Sequence, residues 1–391
     1  MNGNFVLYPF SRPPLPFEKV KITSPLANSF GLELAEDVIS QENIPPYDVA
    51  TRDGWAIATE DKHYPLKSPA IVNGEGPKYL EVNSYCWINT GGYLPERADA
   101  VVSNKEPSDP EFGLDTYPLE NVLPKGSEWQ RGELILKAGT VLAAAQQALL
   151  FEAGIQEVTV YKRPSVAILA TGHEIVEAGS ESIVKRGRHS SNATYLSNLL
   201  NGLGLTDTAV FFAKDSAVEL SSRLISLGQY FDFIITVGGT GQGKSDLLRK
   251  SIKMSGGSLI KDGTRLSSSL PFVYGKMNKS ILIGLPGNPL GFICLAQRFV
   301  LPQIWSSFMT APFPVKKVEA IMGFNFQGKA GDICVQLAPL GDHLIALPLQ
   351  KGSGRSASFR DAQAIIKNPK GHHLEANQQV EAELFFNGLH F

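Results

Sequence analysis

Cysteine is scarce in this 391-residue chain: Cys86, Cys294 and Cys334 are odd in number and far apart. That arrangement fits neither a disulfide framework nor a C-x-x-C metal site, so buried, reduced thiols are expected. Histidine is sparse too, and of seven residues only His372 and His373 are adjacent, inside the turn-like Pro369-Lys370-Gly371-His372-His373. A histidine metal site is therefore not expected. No uninterrupted apolar run reaches the ~18 residues that a membrane span needs. The start, Met1-Asn2-Gly3-Asn4-Phe5, carries no basic stretch leading into an apolar one, which makes a soluble, cytoplasmic protein the expectation. Charge of one sign is also missing: the formal net charge is -2, which gives no bulk attraction to nucleic acid or anionic lipid. Any anion site must be local.

What is present is an ordinary globular composition, with 43% hydrophobic and 19% charged residues. A chain of this length exceeds what one core usually organises, since single cores stop growing near ~250–300 residues, and three or four domains are expected. Ser11 to Pro16 is too rich in proline for a helix and reads as an extended arm. Ser29 to Ser40 reads as a short strand or helix-like element before the break at Pro45-Pro46. From Tyr47 to about Arg131, short β-rich runs such as Ala70-Ile71-Val72 and Tyr85-Cys86-Trp87-Ile88 are separated by Gly, Pro and Asn, the texture of a β domain. The run Ala143–Gly154 is a helix of strong propensity closed by a glycine, a connector that packs back on the N-terminal segment.

After Lys162-Arg163-Pro164 strands and helices alternate. Strands are expected at Ser165–Ala170, Ala209–Phe212, Phe231–Val237 and Ser280–Leu285, with helices after Ser191-Asn192 and from Ser216, Asp246 and Pro289. Such alternation means a mainly parallel sheet with helices on its faces. Ser216-x-x-Glu219 is a capping box, and Asn288-Pro289 sets a cap residue before a proline at the first helical position. Beyond Pro312-Phe313-Pro314, short strands with Gly and Pro turns point to a small separate β domain.

Ligands of open parallel sheets sit beyond the carboxyl ends of the strands. Here those ends lead into Thr171-Gly172-His173-Glu174, into Gly238-Gly239-Thr240-Gly241-Gln242-Gly243-Lys244-Ser245-Asp246, and into Pro286-Gly287-Asn288-Pro289. Small residues permit close backbone approach, and helix starts favour an anion, so a polyanionic small molecule suits them. Gly238 to Ser245 also satisfies G-x-x-x-x-G-K-S, the phosphate-cradling pattern of nucleotide hydrolases. A P-loop would need a second apolar strand ending in an acid for Mg²⁺, whereas Ser280–Leu285 ends in Pro-Gly-Asn-Pro.

Together with these loops, two motifs of the β domain carry a resemblance. Pro45-Pro46-Tyr47-Asp48-Val49-Ala50-Thr51-Arg52-Asp53-Gly54-Trp55-Ala56 is similar to P-P-F-D-x-S-A-M-D-G-Y-A. Thr90-Gly91-Gly92 to Pro95, with Ala98-Asp99-Ala100-Val101-Val102 and Glu106, is similar to T-G-A-x-x-P-x-G-A-D-A-V-V-x-x-E. On these motifs, collinear from about residue 30 to the C-terminus, the chain resembles the molybdopterin molybdenumtransferase family (MoeA and the E domain of gephyrin).

The resemblance implies a multidomain α/β plus β fold. Its parts are a segmented N-terminal/connector domain (1–44 and 132–162), an inserted β domain (45–131), a three-layer molybdopterin-binding α/β domain (163–310) and a C-terminal β-barrel domain (311–391). It implies a homodimer whose site lies between the α/β domain of one subunit and the β domain of the other. The implied reaction is insertion of molybdate into the dithiolene of adenylylated molybdopterin, with Mg²⁺-dependent release of AMP.

Asp53 and Asp246 would be the catalytic acids, either able to hold Mg²⁺, which takes one or two carboxylates plus ligand phosphates. Thr90, Thr171, Gly172, Glu174, Gly238, Gly239, Thr240, Lys244, Ser245, Pro286, Gly287, Asn288 and Pro289 would line the pterin and phosphate pocket. Ser353 and Arg355 match a polar loop of the barrel.

Several positions depart from the family pattern. Ser267-Ser268-Ser269-Leu270-Pro271 stands where K-P-G-K-P is usual, His173 replaces the aspartate of T-G-D-E, and Ser191 stands for the aspartate before Asn192. An Arg of the first part of the family's barrel is absent from Asp332–Gln336. Uncharged residues hold an oxyanion more weakly than lysines do. Three readings therefore stay open: the molybdate-inserting transferase, a relative that binds molybdopterin or acts as a scaffold without turnover, and a P-loop NTPase through Gly238–Ser245.

Overall fold

The structure is a computed structural model and describes residues 6–7, 17–61, 68–69, 79–109, 111–172, 175–176, 188–238, 247–262, 272–327, 331–349, 357–368 and 371–388. The chain falls into two compact units, Lys21–Val160 and a second made of Met1–Val20 with Tyr161–Phe391.

In the larger unit the apolar runs build a six-stranded sheet. Its spatial order is Thr208–Ala213, Val166–Thr171, Phe233–Val237, Ser280–Leu285, Val273–Met277, Ser258–Asp262. The first four strands are parallel, with Val166 beside both Thr208 and Phe233, and Phe233 beside Ile281. Val273–Met277 runs antiparallel to Ser280–Leu285, and Ser258–Asp262 antiparallel to Val273–Met277, an edge that the sequence pattern does not show. Because side chains alternate across a strand, a run apolar at every position must be covered on both faces. Val166, Ile168 and Ala170 accordingly pack with Leu196, Leu200 and Leu290. Ala167 and Leu169 pack with Leu220, Leu224 and Leu248 on the opposite side. Helices Ser191–Gly202 and Pro289–Leu295 therefore cover one face, and Ala217–Tyr230 and Leu247–Met254 the other, giving three layers.

Local signals set the helix starts. The Ser216 hydroxyl accepts from the Glu219 N–H at 3.4 Å, half of the expected capping box. The reciprocal half goes elsewhere: the Glu219 carboxylate accepts from the Lys214 N–H at 3.3 Å, because the chain turns back before the cap. The helix expected after Ser191-Asn192 begins at Ser191 itself, with Ser190 as its cap. Pro289 opens its helix with Asn288 accepting from the Gly291 N–H at 3.3 Å. That helix runs through a π-type turn, Ala296–Val300, into Leu301–Trp305.

Strands Lys317–Met322, Gly331–Leu340, His343–Pro348, Ala364–Asn368 and Gln379–Leu384 close on themselves into a five-stranded barrel. Gly331–Leu340 pairs with both His343–Pro348 and Ala364–Asn368, and Lys317–Met322 completes the ring through His343–Pro348 and Gln379–Leu384. Its narrow interior is filled largely by small or branched residues, among them Ala320, Ile333, Val335, Ala346, Ala364 and Ala382. Val6–Leu7 adds to Gly331–Leu340, while the proline-rich Ser11 to Pro16 lies outside the described residues. Arg298 binds Asp332 at 2.8 Å and Glu383 at 3.2 Å, tying the helical run after Pro289 to the barrel.

The unit Lys21–Val160 contains a four-stranded sheet ordered Ser68–Pro69, Ser84–Ile88, Gly54–Ile57, Ala100–Val102. Ser84–Ile88 bears out the β-rich run at Tyr85–Ile88, while Ala70-Ile71-Val72 lies outside the described residues. The helix Ala144–Glu152 ends before Gly154, whose φ of 72° no branched residue adopts cheaply. It packs on the N-terminal segment as expected: Leu150 meets Leu26 and Leu34, and the Gln147 amide donates to the Leu26 carbonyl at 2.6 Å. Ser29 to Ser40 holds single bridges at Glu33 and Leu34 and the short strand Val38–Ile39. All three cysteines are buried and free, as the sequence implied.

Candidate functional site

Three parallel strands deliver three loops to one edge of the sheet, and their backbones touch. Val166–Thr171 ends in a buried threonine whose hydroxyl donates to the Val237 carbonyl at 3.3 Å. Gly238, next along the neighbouring strand, donates its N–H to the Leu285 carbonyl at 3.0 Å. Its φ is +94°, and a Cβ there would stand 2.9 Å from the Thr171 carbonyl oxygen and 3.0 Å from the Thr171 hydroxyl. Only glycine fits. The Gly238 Cα in turn lies 3.9 Å from where a Cβ on Gly287 would be. Thr171, Gly238 and Gly287 thus form one small-residue seam at the carboxyl edge, where a ligand can approach backbone directly.

The loop Pro286-Gly287-Asn288-Pro289 is held from two sides. Asn288 caps the helix it opens, and the Asn192 amide donates to the Gly287 carbonyl at 3.0 Å. Gly172 is anchored on the other flank, its N–H donating to the Ala213 carbonyl at 3.4 Å. Asn192 entered the sequence reading only as the start of a helix. An asparagine beside serines reads as a cap, and only the fold brings it to Gly287, ninety-five residues later.

In the other unit, Asp53 precedes the strand Gly54–Ile57. Its carboxylate Oδ1 accepts from the Thr90 N–H at 2.6 Å and the Thr90 hydroxyl at 2.9 Å, so the sequence motifs around Asp53 and Thr90 meet in space. Those two bonds, the backbone one first, hold the Asp53 carboxyl below its ordinary range. The group is exposed and is fixed through Oδ1. The glycine after it is required: a Cβ on Gly54 would sit 2.4 Å from the Val102 carbonyl oxygen across the sheet. This explains why Asp-Gly stands there, as a strand packed tightly on its neighbour with an acid at its mouth.

Glu174, Gly239, Thr240, Lys244, Ser245, Asp246, Ser353 and Arg355 lie outside the described residues, as does Ser267 to Pro271. Among the described residues no group of three or more His, Cys, Asp or Glu side chains gathers to hold a metal. A single fixed carboxylate such as Asp53 nevertheless fits the chemistry of Mg²⁺, which combines one or two carboxylates with ligand phosphates and water.

Fold and seam together define a multidomain protein with a three-layer α/β sheet, whose carboxyl edge carries the seam of Thr171, Gly238 and Gly287, and a closed β barrel. Two family models match the chain: MoeA N-terminal region (domain I and II) over residues 9–154, and probable molybdopterin binding domain over residues 167–305. The molybdopterin molybdenumtransferase of Haemophilus influenzae is 29% identical over 339 residues, covering 80% of this chain and 83% of the relative. That of Staphylococcus aureus (strain COL) is 28% identical over 305 residues, covering 72% and 70%. The solved molybdopterin biosynthesis MoeA protein from Pyrococcus horikosii superposes with a TM-score of 0.70 at 25% identity, covering 95% of this chain and 96% of that one. The chain belongs to the MoeA family.

Proposed function

We propose that this protein is a transferase of molybdenum cofactor biosynthesis that inserts molybdate into adenylylated molybdopterin with release of AMP. The observation that carries the proposal is the seam of Thr171, Gly238 and Gly287 at the carboxyl edge of the parallel sheet, inside the stretch similar to probable molybdopterin binding domains. Backbone groups at such an edge suit a phosphorylated heterocycle.

In this reading Thr171, Gly172, Gly238 and the Pro286–Pro289 loop hold the pterin and its phosphate. Glu174, Gly239, Thr240, Lys244 and Ser245 belong to the same loops. Asp53, fixed by Thr90, and Asp246 are the acids that would hold Mg²⁺, the ion supplying charge neutralisation at the phosphates. Ser353 and Arg355 are the barrel's polar contribution. The working protein is a homodimer in the cytoplasm, with no nucleic-acid partner. No helix among the described residues is long and apolar enough to cross a membrane.

A second reading, binding without turnover, is favoured by Ser267-Ser268-Ser269, which supply no cation where the K-P-G-K-P pattern of the resemblance has lysines. The P-loop NTPase has weaker support: Ser280–Leu285 delivers Pro286 and not an acid, and the domain match over residues 167–305 takes in Gly238–Ser245. Calorimetric titration with adenylylated molybdopterin tests the reading. Saturable binding is expected, and an absence of binding, together with an intrinsic ATPase that Lys244→Ala abolishes, would replace it with the P-loop.

A further inference from the structure

Asn192 carries an unmet hydrogen-bonding group beside the seam. Its side chain is 6% exposed, and its amide nitrogen is used on the Gly287 carbonyl at 3.0 Å. Its Oδ1 is enclosed and has no hydrogen-bond partner. Buried polar atoms in folded proteins are nearly always paired, and an exception calls for an explanation such as a missing ligand. The helix that Asn192 helps to open has its own cap in Ser190, which accepts from the Ala193 N–H, so capping does not account for Asn192. The orphan therefore lies where a twelve-residue helix begins, against the very loop that the ligand reading uses.

An amide oxygen is an acceptor only. It cannot serve a phosphate, a molybdate or any other deprotonated oxyanion, which offers acceptors alone. The group that satisfies it must bring a hydrogen: a ring N–H, an exocyclic amine or a hydroxyl. Beside a seam of glycines and a threonine, one buried acceptor marks where a hydrogen-bearing edge of a ligand would lie.

Resting on the molybdopterin reading, we propose that Asn192 is a specificity-determining residue, whose Oδ1 accepts a hydrogen bond from the amino-bearing edge of the pterin while its amide nitrogen keeps the Gly287 turn in place. A site that hydrogen-bonds a donor rejects an analogue without it, because the buried acceptor is then left unpaired or faces another acceptor.

The test compares 6-hydroxymethylpterin with 6-hydroxymethyllumazine, in which a carbonyl replaces the exocyclic amine, by fluorescence titration of the full chain. The wild-type protein should bind the pterin at least about tenfold more tightly than the lumazine, the size expected for one good buried hydrogen bond. Asn192→Leu removes both functions and should bring the two probes within about twofold of each other. Asn192→Asp keeps an acceptor and removes the donor to Gly287, so it should weaken both probes and preserve their ratio. A merely structural role would weaken both probes equally in both variants, and that result overturns the proposal. Should Asn192→Leu fail to fold, loss of the ratio in Asn192→Asp alone would overturn it as well. Wild-type binding of both probes with equal affinity sinks Asn192 and leaves the family reading intact, whereas no wild-type binding of either pterin or adenylylated molybdopterin sinks both.

Discussion

Replacing Gly238 with alanine sets a methyl group against the end of the adjoining strand, and the size of the effect can be worked out. At φ +94° an L-residue is strained by about 1–2 kcal/mol. The new Cβ would also stand 2.9 Å from the Thr171 carbonyl oxygen, a backbone atom that no rotamer change removes, and overpacking of this kind costs about 1–3 kcal/mol. The sum is about 2–5 kcal/mol. Gly256 provides the control: its φ is +77°, and a Cβ there meets nothing within 4 Å, so Gly256→Ala should lose only the conformational part, about 1–2 kcal/mol. Urea denaturation gives both values, provided the slope against urea is common to the two variants. Gly238→Ala should in addition weaken binding of adenylylated molybdopterin by tenfold or more, because the seam must open, while Gly256→Ala should leave it unchanged. Equal losses of stability in the two variants, or intact binding in Gly238→Ala, would refute the claim that this seam is closed by steric contact and used by the ligand.

Three further outcomes follow from single contacts. Arg97 holds both oxygens of the buried Asp61 at 2.7 Å, so Arg97→Met should cost about 1.5–3 kcal/mol near neutral pH. Because Arg97 lowers the folded pKa of Asp61, that contribution is present above the unfolded carboxylate range and is lost as pH falls through the folded value. Denaturation curves of wild type and Arg97→Met should therefore converge in acid, and a gap that persists below that range would contradict the assignment. Asn288→Ala removes the cap on Gly291 and should cost about 0.5–2 kcal/mol by the same urea assay; no loss would mean that the cap is idle. Burial pushes the Cys86 thiol up to about 11, and Cys294 is raised by burial and by Cys334 beside it, so native protein at pH 8 should resist thiol-directed alkylation, with all three cysteines reacting only after denaturation. Rapid labelling of the native protein would show that the thiols are accessible.

Much of the α/β architecture was legible because its signals are local. Ser280–Leu285 is a strand with those ends, and Pro289 opens a helix with Asn288 as its cap, since an apolar β-branched run and an Asn-Pro start each act within a few residues. The antiparallel strands Ser258–Asp262 and Val273–Met277 were not read, since polar residues such as Lys261 and Lys276 dilute the apolar pattern. Closure of the barrel pairs residues as far apart as Lys317 and Glu383, and Val6 pairs with Ile333 across most of the chain, and no local pattern encodes such pairing. Capping by Glu219 was half right because the box predicts which groups are available, while the path of the chain before Ser216 decides which N–H the carboxylate reaches.

At the candidate site the same division holds. The glycines of the seam stood out in the sequence because few ordinary turns need so many, and the structure supplies the reason at Gly238. The bonds from Thr90 to Asp53 join two motifs thirty-seven residues apart, visible in the sequence only through the family resemblance. Asn192 had no signal of its own. Its importance rests on an oxygen left without a partner, which is a property of the folded interior.

Release of AMP from adenylylated molybdopterin, measured with Mg²⁺ in the presence and absence of molybdate, tests the central proposal most directly. AMP release by the wild-type protein is expected to depend on molybdate and to be lost in Asp53→Asn, while Asp53→Asn keeps its fold by urea denaturation. Binding of the adenylylated pterin with no molybdate-dependent release would contradict the transferase and leave a protein that holds its ligand without converting it.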